Sequence, residues 1–412
     1  MPAIKGLCWI GKILFSFLTG YVILTIEGIL FSLFHIHWSL WGFIIVPILF
    51  FIISIKFGRF ENKNEFFSFN YFSLFLIILG LFGITFAFIK GCGNSMDLLY
   101  FWGVKGLRFA LSSGIDVKFL KNEFSIHTHI NYPPLLPIQY AFSVLFAGKF
   151  CWKTAPLFSV LWLLIGSGLI YSILQYKRKD NNIATIGSAY WTLCMASSLI
   201  YSKSGGNAEA PLLVFVSIAV ISILIEEEIG PQAIWISSIS LAGAVLTKIE
   251  GSLFAVWIFF GILIRDWKLG VLKNLKHLLK IFWLSLLVVI LWITFLVINN
   301  IPLQDPAREK FGNISFSHID EILSSFFPNL NVGTYGFSWI LPLISFWIKR
   351  KYLKKCIPAL FVGFGSILFI FIYYLHLQNN VNAIIGWTLP RLIQPVLSVF
   401  IISAIVVLEE EN

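Results

Sequence analysis

The side chains with the clearest capacity for chemistry lie in one hydrophilic stretch, residues 91–134. Glycines and polar residues interrupt the chain there, and either Asn94 or Ser95 can cap a helix that starts at Met96. At 100° per residue, one arc of this helix carries Asp97, Lys105, Arg108 and Ser112. Asp97 stands in the first turn, where the helix dipole favours an ionised carboxylate by about 0.3–1 kcal/mol. Such a carboxylate can serve as a base or a metal ligand, or it can merely support the helix start, and spacing alone does not decide between these roles.

Two histidines and two prolines end the same stretch. His127 and His129 stand two positions apart, which on an extended segment puts both on one face, either as metal ligands or as solvated side chains of a polar loop. Pro133 and Pro134 give a stiff start to the apolar run that follows. The five cysteines have no zinc-site spacing. These residues identify no particular cofactor, and they are compatible with a divalent metal.

The helices that must position these residues belong to a membrane protein. Of 412 residues, 58% are hydrophobic and only 12% are charged, well below the roughly 25% charged content of a soluble domain. The net charge of +10 comes from lysines and arginines in short loops between apolar stretches, where they set topology. We therefore expect membrane lipids as partners and no nucleic acid.

We predict an all-α, polytopic fold of about 12 transmembrane helices, with interfacial helices in a large first external loop. Each span needs about 20 apolar residues. The predicted spans are residues 13–34, 38–55, 71–89, 155–176, 183–200, 210–225, 234–247, 251–264, 281–298, 336–347, 357–376 and 390–408. The resulting divisions are N-terminal helices (1–90), the first external loop (91–153), a second helical block (154–298), a second external loop (299–335) and C-terminal helices (336–412).

Orientation follows from clusters of basic residues near 56–63, 177–179, 265–280 and 349–355, which should face the cytoplasm. Both long hydrophilic stretches then lie on the external, periplasmic side. Parity requires the apolar run 134–150 to stay in the outer leaflet or re-enter it, because a full crossing would move the cluster at 177–179 outside. We accordingly expect a multi-pass protein of the bacterial inner (plasma) membrane.

Several short motifs occur in a characteristic order. Asp97, Trp102 and Lys105 precede the segment His129-Ile-Asn-Tyr-Pro-Pro-Leu-Leu-Pro137, Glu209 opens a later span, and Thr247-Lys-Ile-Glu-Gly251 follows. This order resembles that of the GT-C superfamily of polytopic membrane glycosyltransferases. Within the superfamily it resembles the bacterial branch of protein mannosyltransferases and lipid A aminoarabinose transferases, which is related to glycosyltransferase family 39. The late Arg391 also matches the pattern of that branch. The resemblance spans residues 97–395.

The resemblance implies an inverting enzyme that transfers a sugar from a polyprenyl-phosphate donor to a lipid, glycan or protein acceptor outside the membrane. Asp97 would then be the catalytic base, and Glu209 would position the acceptor. The other residues that it implies for substrate binding are Trp102, Lys105, Arg108, His129, Tyr132, Lys248, Glu250 and Arg391. Two departures leave the metal requirement and the substrate open: relatives usually have Asp at the position of Glu209 and commonly Asn at that of Ile249.

Simpler roles exist for each of these residues. Glu209, Lys248 and Glu250 can be ordinary charges at helix ends, and Arg391 can extend to lipid headgroups. Lys105 and Arg108 can bind anionic headgroups, while Trp102 and Tyr132 can be interface anchors. Competing functions are a lipid-linked glycan flippase or transporter, a polysaccharide polymerase and a membrane scaffold. The sugar, the acceptor and the oligomeric state are not encoded in any motif.

Overall fold

A computed structural model describes residues 7–45, 48, 70–178, 181–267, 270–304, 314–330, 335–377, 381–408 and 410. Within these ranges the regular structure is helical, and an isolated β-bridge joins Asn94 to Gly205. The α-helices in chain order are α1 (Trp9–Leu33), α2 (Tyr71–Ile89), α3 (Gly103–Leu111), α4 (Val117–Leu120), α5 (Leu135–Ala147), α6 (Leu157–Arg178), α7 (Asn181–Tyr201), α8 (Glu209–Leu224), α9 (Glu226–Ile229), α10 (Pro231–Thr247), α11 (Ile249–Arg265), α12 (Val271–Ile298), α13 (Ile319–Leu330), α14 (Ile340–Ile348), α15 (Ile357–Leu375) and α16 (Val381–Leu408). A π-helical turn at Leu98–Trp102 leads into α3, and 3₁₀ turns occupy Glu123–Thr128, Gly336–Trp339 and Arg350–Tyr352.

Seven of the described helices are long and apolar enough to cross a membrane: α1, α2, α6, α7, α12, α15 and α16. The prediction of an all-helical, polytopic membrane protein is therefore confirmed, whereas the count of about 12 spans is not. The predicted spans at 210–225 and 234–247 coincide with α8 and α10, which are apolar but have 16 and 17 residues. Half of the span predicted at 38–55 falls outside the described residues.

The bundle has two chemically different ends. At one, which we call the basic end, Lys355 donates hydrogen bonds to Glu228 at 2.7 Å and to Glu410 at 2.8 Å. Burial opposes the charge of Lys355, but these bonds outweigh it and raise the pKa of Lys355. At the other, which we call the loop end, the segment after α2 meets the segment after α7. Since α8 starts at the loop end and is followed directly by Glu226 and Glu228 at the basic end, even this short helix extends between the two.

The core is centred on α8, all of whose residues are buried. Its neighbours are α6, α10 and α16. A helix that is apolar on every face belongs inside a bundle, and the serines on it satisfy their hydroxyls locally or across helices. The hydroxyls of Ser217 on α8 and Ser398 on α16 hydrogen-bond each other, and Trp191 on α7 donates to Ser398 at 2.7 Å. These contacts fix the helices that carry Glu209 and Arg391.

The first loop packs onto the bundle through α3 and α5. A Cβ at Gly106 on α3 would lie 2.4 Å from the Cβ of Tyr140 on α5, so only glycine permits this approach. The helical segment that ends in α3 begins at Met96, as predicted. It does not carry one exposed polar arc, because Lys105 is 2% exposed whereas the Arg108 side chain is 47% exposed. The 100° count assumed α-helix throughout, and the π-helical turn changes the angular register after Asp97. The first half of α5 is buried, and its relation to the bilayer stays a prediction.

Candidate functional site

At the loop end, the segment that follows α2 and the turn that precedes α8 lie side by side. The amide of Ser95 donates to the Gly205 carbonyl at 3.1 Å, and the amide of Gly205 donates to the Gly93 carbonyl at 2.9 Å. A Cβ at Gly205 would lie 2.9 Å from that same Gly93 oxygen, so the close pairing of the two segments requires glycine. The start of the first loop is thereby held against the turn that precedes α8.

Asp97 follows this bridge directly. The hydroxyl of Ser95 accepts a hydrogen bond from the Asp97 amide at 3.1 Å, so one of the two predicted cap residues fixes the helix start. The Asp97 side chain is 17% exposed. Its Oδ2 accepts hydrogen bonds from the Arg391 guanidinium and from the side-chain amide nitrogen of Asn207, the latter at 3.2 Å. Among the described residues no hydrogen bond reaches its Oδ1, so one carboxylate oxygen is left for another proton donor.

Glu209 is the most deeply buried acidic group of the site, at 1% exposure. Its Oε1 accepts from Lys248 Nζ at 3.1 Å and from Arg391 Nε at 3.0 Å. Its Oε2 has no hydrogen-bond partner in the described part of the chain. As the first residue of α8, Glu209 also lies at the positive end of that helix dipole. Two cations and the dipole together stabilise the carboxylate in a buried position.

Lys248 sits in the break between α10 and α11. Its backbone is extended, with φ −160° and ψ 155°, which ends one helix and directs the side chain towards Glu209. It also lies 3.4 Å from Glu250 Oε1. Burial opposes its charge, but the carboxylates of Glu209 and Glu250 outweigh this and raise the pKa of Lys248. The break requires Gly251, where a Cβ would lie 1.9 Å from the Ala244 carbonyl oxygen.

The structure thus brings together five of the residues named from sequence, drawn from the first loop, α8, the α10–α11 break and α16: Asp97, Glu209, Lys248, Glu250 and Arg391. Arg391 contacts both Asp97 and Glu209. With three carboxylates and two cations, the five carry one net negative charge when all are ionised. A bidentate guanidinium and an ammonium in one partly desolvated cluster can hold a phosphate, and Asp97 can accept a proton.

An aromatic cluster borders these charges. Trp102 is buried, its ring centroid lies 5.9 Å from that of Tyr132, and its Nε1 donates to the side-chain oxygen Oδ1 of Asn207 at 2.5 Å. His129 stacks on Tyr132 at 4.8 Å and meets Phe101 edge-on at 4.7 Å. His129 has a left-handed backbone, φ +53°, a strained conformation for a residue other than glycine. Trp102, His129 and Tyr132 therefore lie together, as one wall next to the charged cluster.

The two remaining cations named from sequence lie elsewhere. Lys105 is buried and donates a hydrogen bond to the His129 backbone carbonyl at 2.5 Å, which supports the backbone of the aromatic wall. Arg108 pairs with Asp116 at 2.6 Å and lies over the Phe119 ring, 5.5 Å from its centroid. Neither contact reaches Asp97 or Glu209. Whether these two cations bind substrate stays a prediction.

Sequence reasoning missed Asn207, the residue that contacts Asp97 from the turn before α8. The signal was present: Ser-Gly-Gly-Asn at 204–207 is a strong turn sequence placed two residues before Glu209. In the described residues no three His, Cys, Asp or Glu side chains converge as metal ligands. His127 is exposed, whereas His129 belongs to the aromatic wall.

Comparison of the chain with protein-family models, with curated proteins and with solved structures finds no match.

Proposed function

We propose that this protein is a membrane glycosyltransferase that moves a sugar from a polyprenyl-phosphate carrier to an acceptor hydroxyl at the outer face of the membrane. The observation that carries the proposal is the contact of one guanidinium with both Asp97 and Glu209, next to Lys248. It supplies a base and two phosphate-binding cations at one end of an apolar bundle. The sequence resemblance to GT-C enzymes supports the same chemistry.

In the proposed reaction Asp97 Oδ1 accepts the proton of the acceptor hydroxyl. The acceptor oxygen bonds to the anomeric carbon as the bond from that carbon to the phosphate oxygen breaks, and the electron pair leaves with the phosphate. Attack opposite the leaving group inverts the anomeric centre. Arg391 and Lys248 stabilise the charge on the departing phosphate, while Glu209 holds both cations in place and can orient the acceptor.

The site also suits a donor with a lipid tail. The tail can remain in the bilayer while its phosphate enters the loop end from the side, where α3 and α5 pack on the bundle. We propose that the loop end faces outward, because the lysine- and arginine-rich segments lie at the other end. The proposal includes about 12 membrane spans in a GT-C-like arrangement.

The test is transfer of radiolabelled sugar from synthetic polyprenyl-phosphate sugars, in membranes that contain the protein and in membranes that lack it. We expect a labelled acceptor product and release of the polyprenyl phosphate only where the protein is present. A panel of neutral, amino and acidic sugars covers the donor class. Absence of transfer from every donor would overturn the proposal.

One observation favours a second function, flipping of a lipid-linked glycan. Glu27 lies within α1, is 5% exposed, and neither of its carboxylate oxygens has a hydrogen-bond partner among the described residues. A buried ionisable side chain within a spanning helix is typical of proton-coupled transport. Proton-dependent movement of a fluorescent lipid-linked glycan across vesicles, lost in Glu27→Gln but retained in Asp97→Asn, would support this function over transfer.

A further inference from the structure

Asn207 makes more specific contacts with the site than its place in a turn requires. It is 1% exposed. Its Nδ2 donates to Ser95 Oγ and to Asp97 Oδ2, both at 3.2 Å. Its Oδ1 accepts from Trp102 Nε1 at 2.5 Å and from the Ala208 amide at 2.8 Å. Every hydrogen of the side-chain amide is used, and its oxygen accepts twice.

The chemistry of these partners fixes which way the amide points. An indole N–H and a backbone N–H can only donate, so the atom facing them must be the Asn207 oxygen. The nitrogen then faces Asp97, which as a carboxylate can only accept. Trp102 therefore selects the amide orientation that presents a donor to Asp97.

The turn itself does not depend on this side chain. Tyr140 donates to the Gly206 carbonyl at 2.7 Å, Ser159 accepts from the Gly206 amide at 2.9 Å, and the bridge at Gly205 adds two further bonds. These four contacts hold the backbone of Gly205 and Gly206 directly before Asn207. The Asn207 side chain is thus free to serve Asp97.

We infer that Asn207 is a positioning residue, which binds Asp97 Oδ2 and so leaves Oδ1 directed at the acceptor hydroxyl. This inference rests on the proposed function. Arg391 contacts the same Oδ2, and through Arg391 the charges of Glu209 and Lys248 also act on Asp97. Arg391 supplies charge to that oxygen, whereas Asn207 supplies direction, since its amide is held at both ends.

The decisive variant is Asn207→Asp. It keeps an oxygen for Trp102 and Ala208 but replaces the donor that faces Asp97 with a second carboxylate oxygen. We expect kcat to fall by about 100-fold, the scale of a general-base contribution, with the donor KM unchanged. The acid limb of the pH–rate profile should move up by about one pH unit, because two facing carboxylates hold a proton more tightly. A purely structural role would leave this limb in place.

Two further variants complete the design. Asn122→Asp is the matched control, because Asn122 is exposed in the first loop, outside the site, and its side-chain oxygen accepts from the Phe124 amide, as an aspartate oxygen also can. Asn207→Ser shortens the side chain and removes the amide that donates to Asp97 without adding charge, and it decides the question if Asn207→Asp does not fold. We expect Asn207→Ser to lower kcat at constant KM without moving the acid limb.

The outcomes separate the two proposals. Wild-type transfer together with wild-type kcat and pH profile in folded Asn207→Asp, or wild-type kcat in Asn207→Ser, would overturn the positioning role alone. No transfer by the wild-type protein would overturn the proposed function, and this inference with it. Loss of kcat with a displaced acid limb in Asn207→Asp, but not in Asn122→Asp, would establish the role.

Discussion

Arg391 follows Asp97 by 294 residues, yet its guanidinium donates a hydrogen bond to the Asp97 carboxylate. The same guanidinium lies 3.0 Å from Glu209 at the start of α8. One side chain on α16 therefore joins the first loop to the central helix of the bundle. Arg391 thus holds the Asp97 carboxylate from outside its own helix.

Arg391→Lys should separate the two carboxylates. A single ammonium on a flexible chain cannot reproduce two hydrogen bonds from a planar fork. We expect transfer to fall by about 100-fold, the scale for loss of one preorganised electrostatic donor. Sugar transfer in membranes measures this, with the exposed Arg350→Lys at the basic end as the control. Equal rates for the two variants would show that the fork is not needed.

Glu209→Gln should destabilise the fold. It leaves Lys248 and Arg391 without their shared counter-charge in a site where their side chains are 9% and 22% exposed. Breaking a buried ion pair from one side costs about 3–5 kcal/mol. Thermal unfolding in detergent should show a clear drop in midpoint relative to Glu321→Gln, whose parent side chain is 50% exposed. Matching midpoints would mean that Asp97 and Glu250 are sufficient counter-charges for Arg391 and Lys248.

Gly251→Ala tests whether the close approach of α10 and α11 holds Lys248 in place. The new methyl group would lie 1.9 Å from the Ala244 carbonyl oxygen, so the helices must move apart. We expect a loss of about 1–3 kcal/mol from overpacking, together with reduced transfer as Lys248 shifts. Gly83→Ala on α2 is the matched control, since its Cβ would meet nothing within 4 Å. Unchanged stability and transfer in Gly251→Ala would contradict this role of the glycine.

Sequence alone predicted much of this arrangement and failed at identifiable points. The apolar runs predicted the long helices because lipid allows little else, and motif order predicted that Asp97, Glu209, Lys248 and Arg391 belong to one site. It could not show that Arg391 joins two carboxylates, since that contact depends on how α8 packs against α16. Lys105 and Arg108 were grouped with Asp97 by an ideal helical angle, and the π-helical turn separates them.

Two native cysteines can establish which side the loop end faces. Cys92 and Cys151 are exposed at this end, whereas Cys356 at the basic end is buried. We expect a membrane-impermeant maleimide to label single-cysteine proteins carrying Cys92 or Cys151 in intact cells. Hydrogen bonds from the Thr154 side chain and backbone lower the pKa of the Cys151 thiol, which favours the thiolate that reacts with the maleimide.

Labelling of Cys151 only after permeabilisation would contradict the proposed topology. It would mean that residues 134–150 cross the membrane. The single-cysteine protein that keeps Cys356 is the control, because a buried thiol at the basic end should not be labelled in intact cells.

The most direct measurement is sugar transfer from radiolabelled polyprenyl-phosphate donors by the wild-type protein, Asp97→Asn and Asp320→Asn. Asp320 is exposed at the start of α13 and takes no part in the site. The account predicts transfer by the wild-type protein and by Asp320→Asn, and loss of transfer by folded Asp97→Asn. Transfer by Asp97→Asn at the wild-type rate would contradict the assignment of Asp97 as the base.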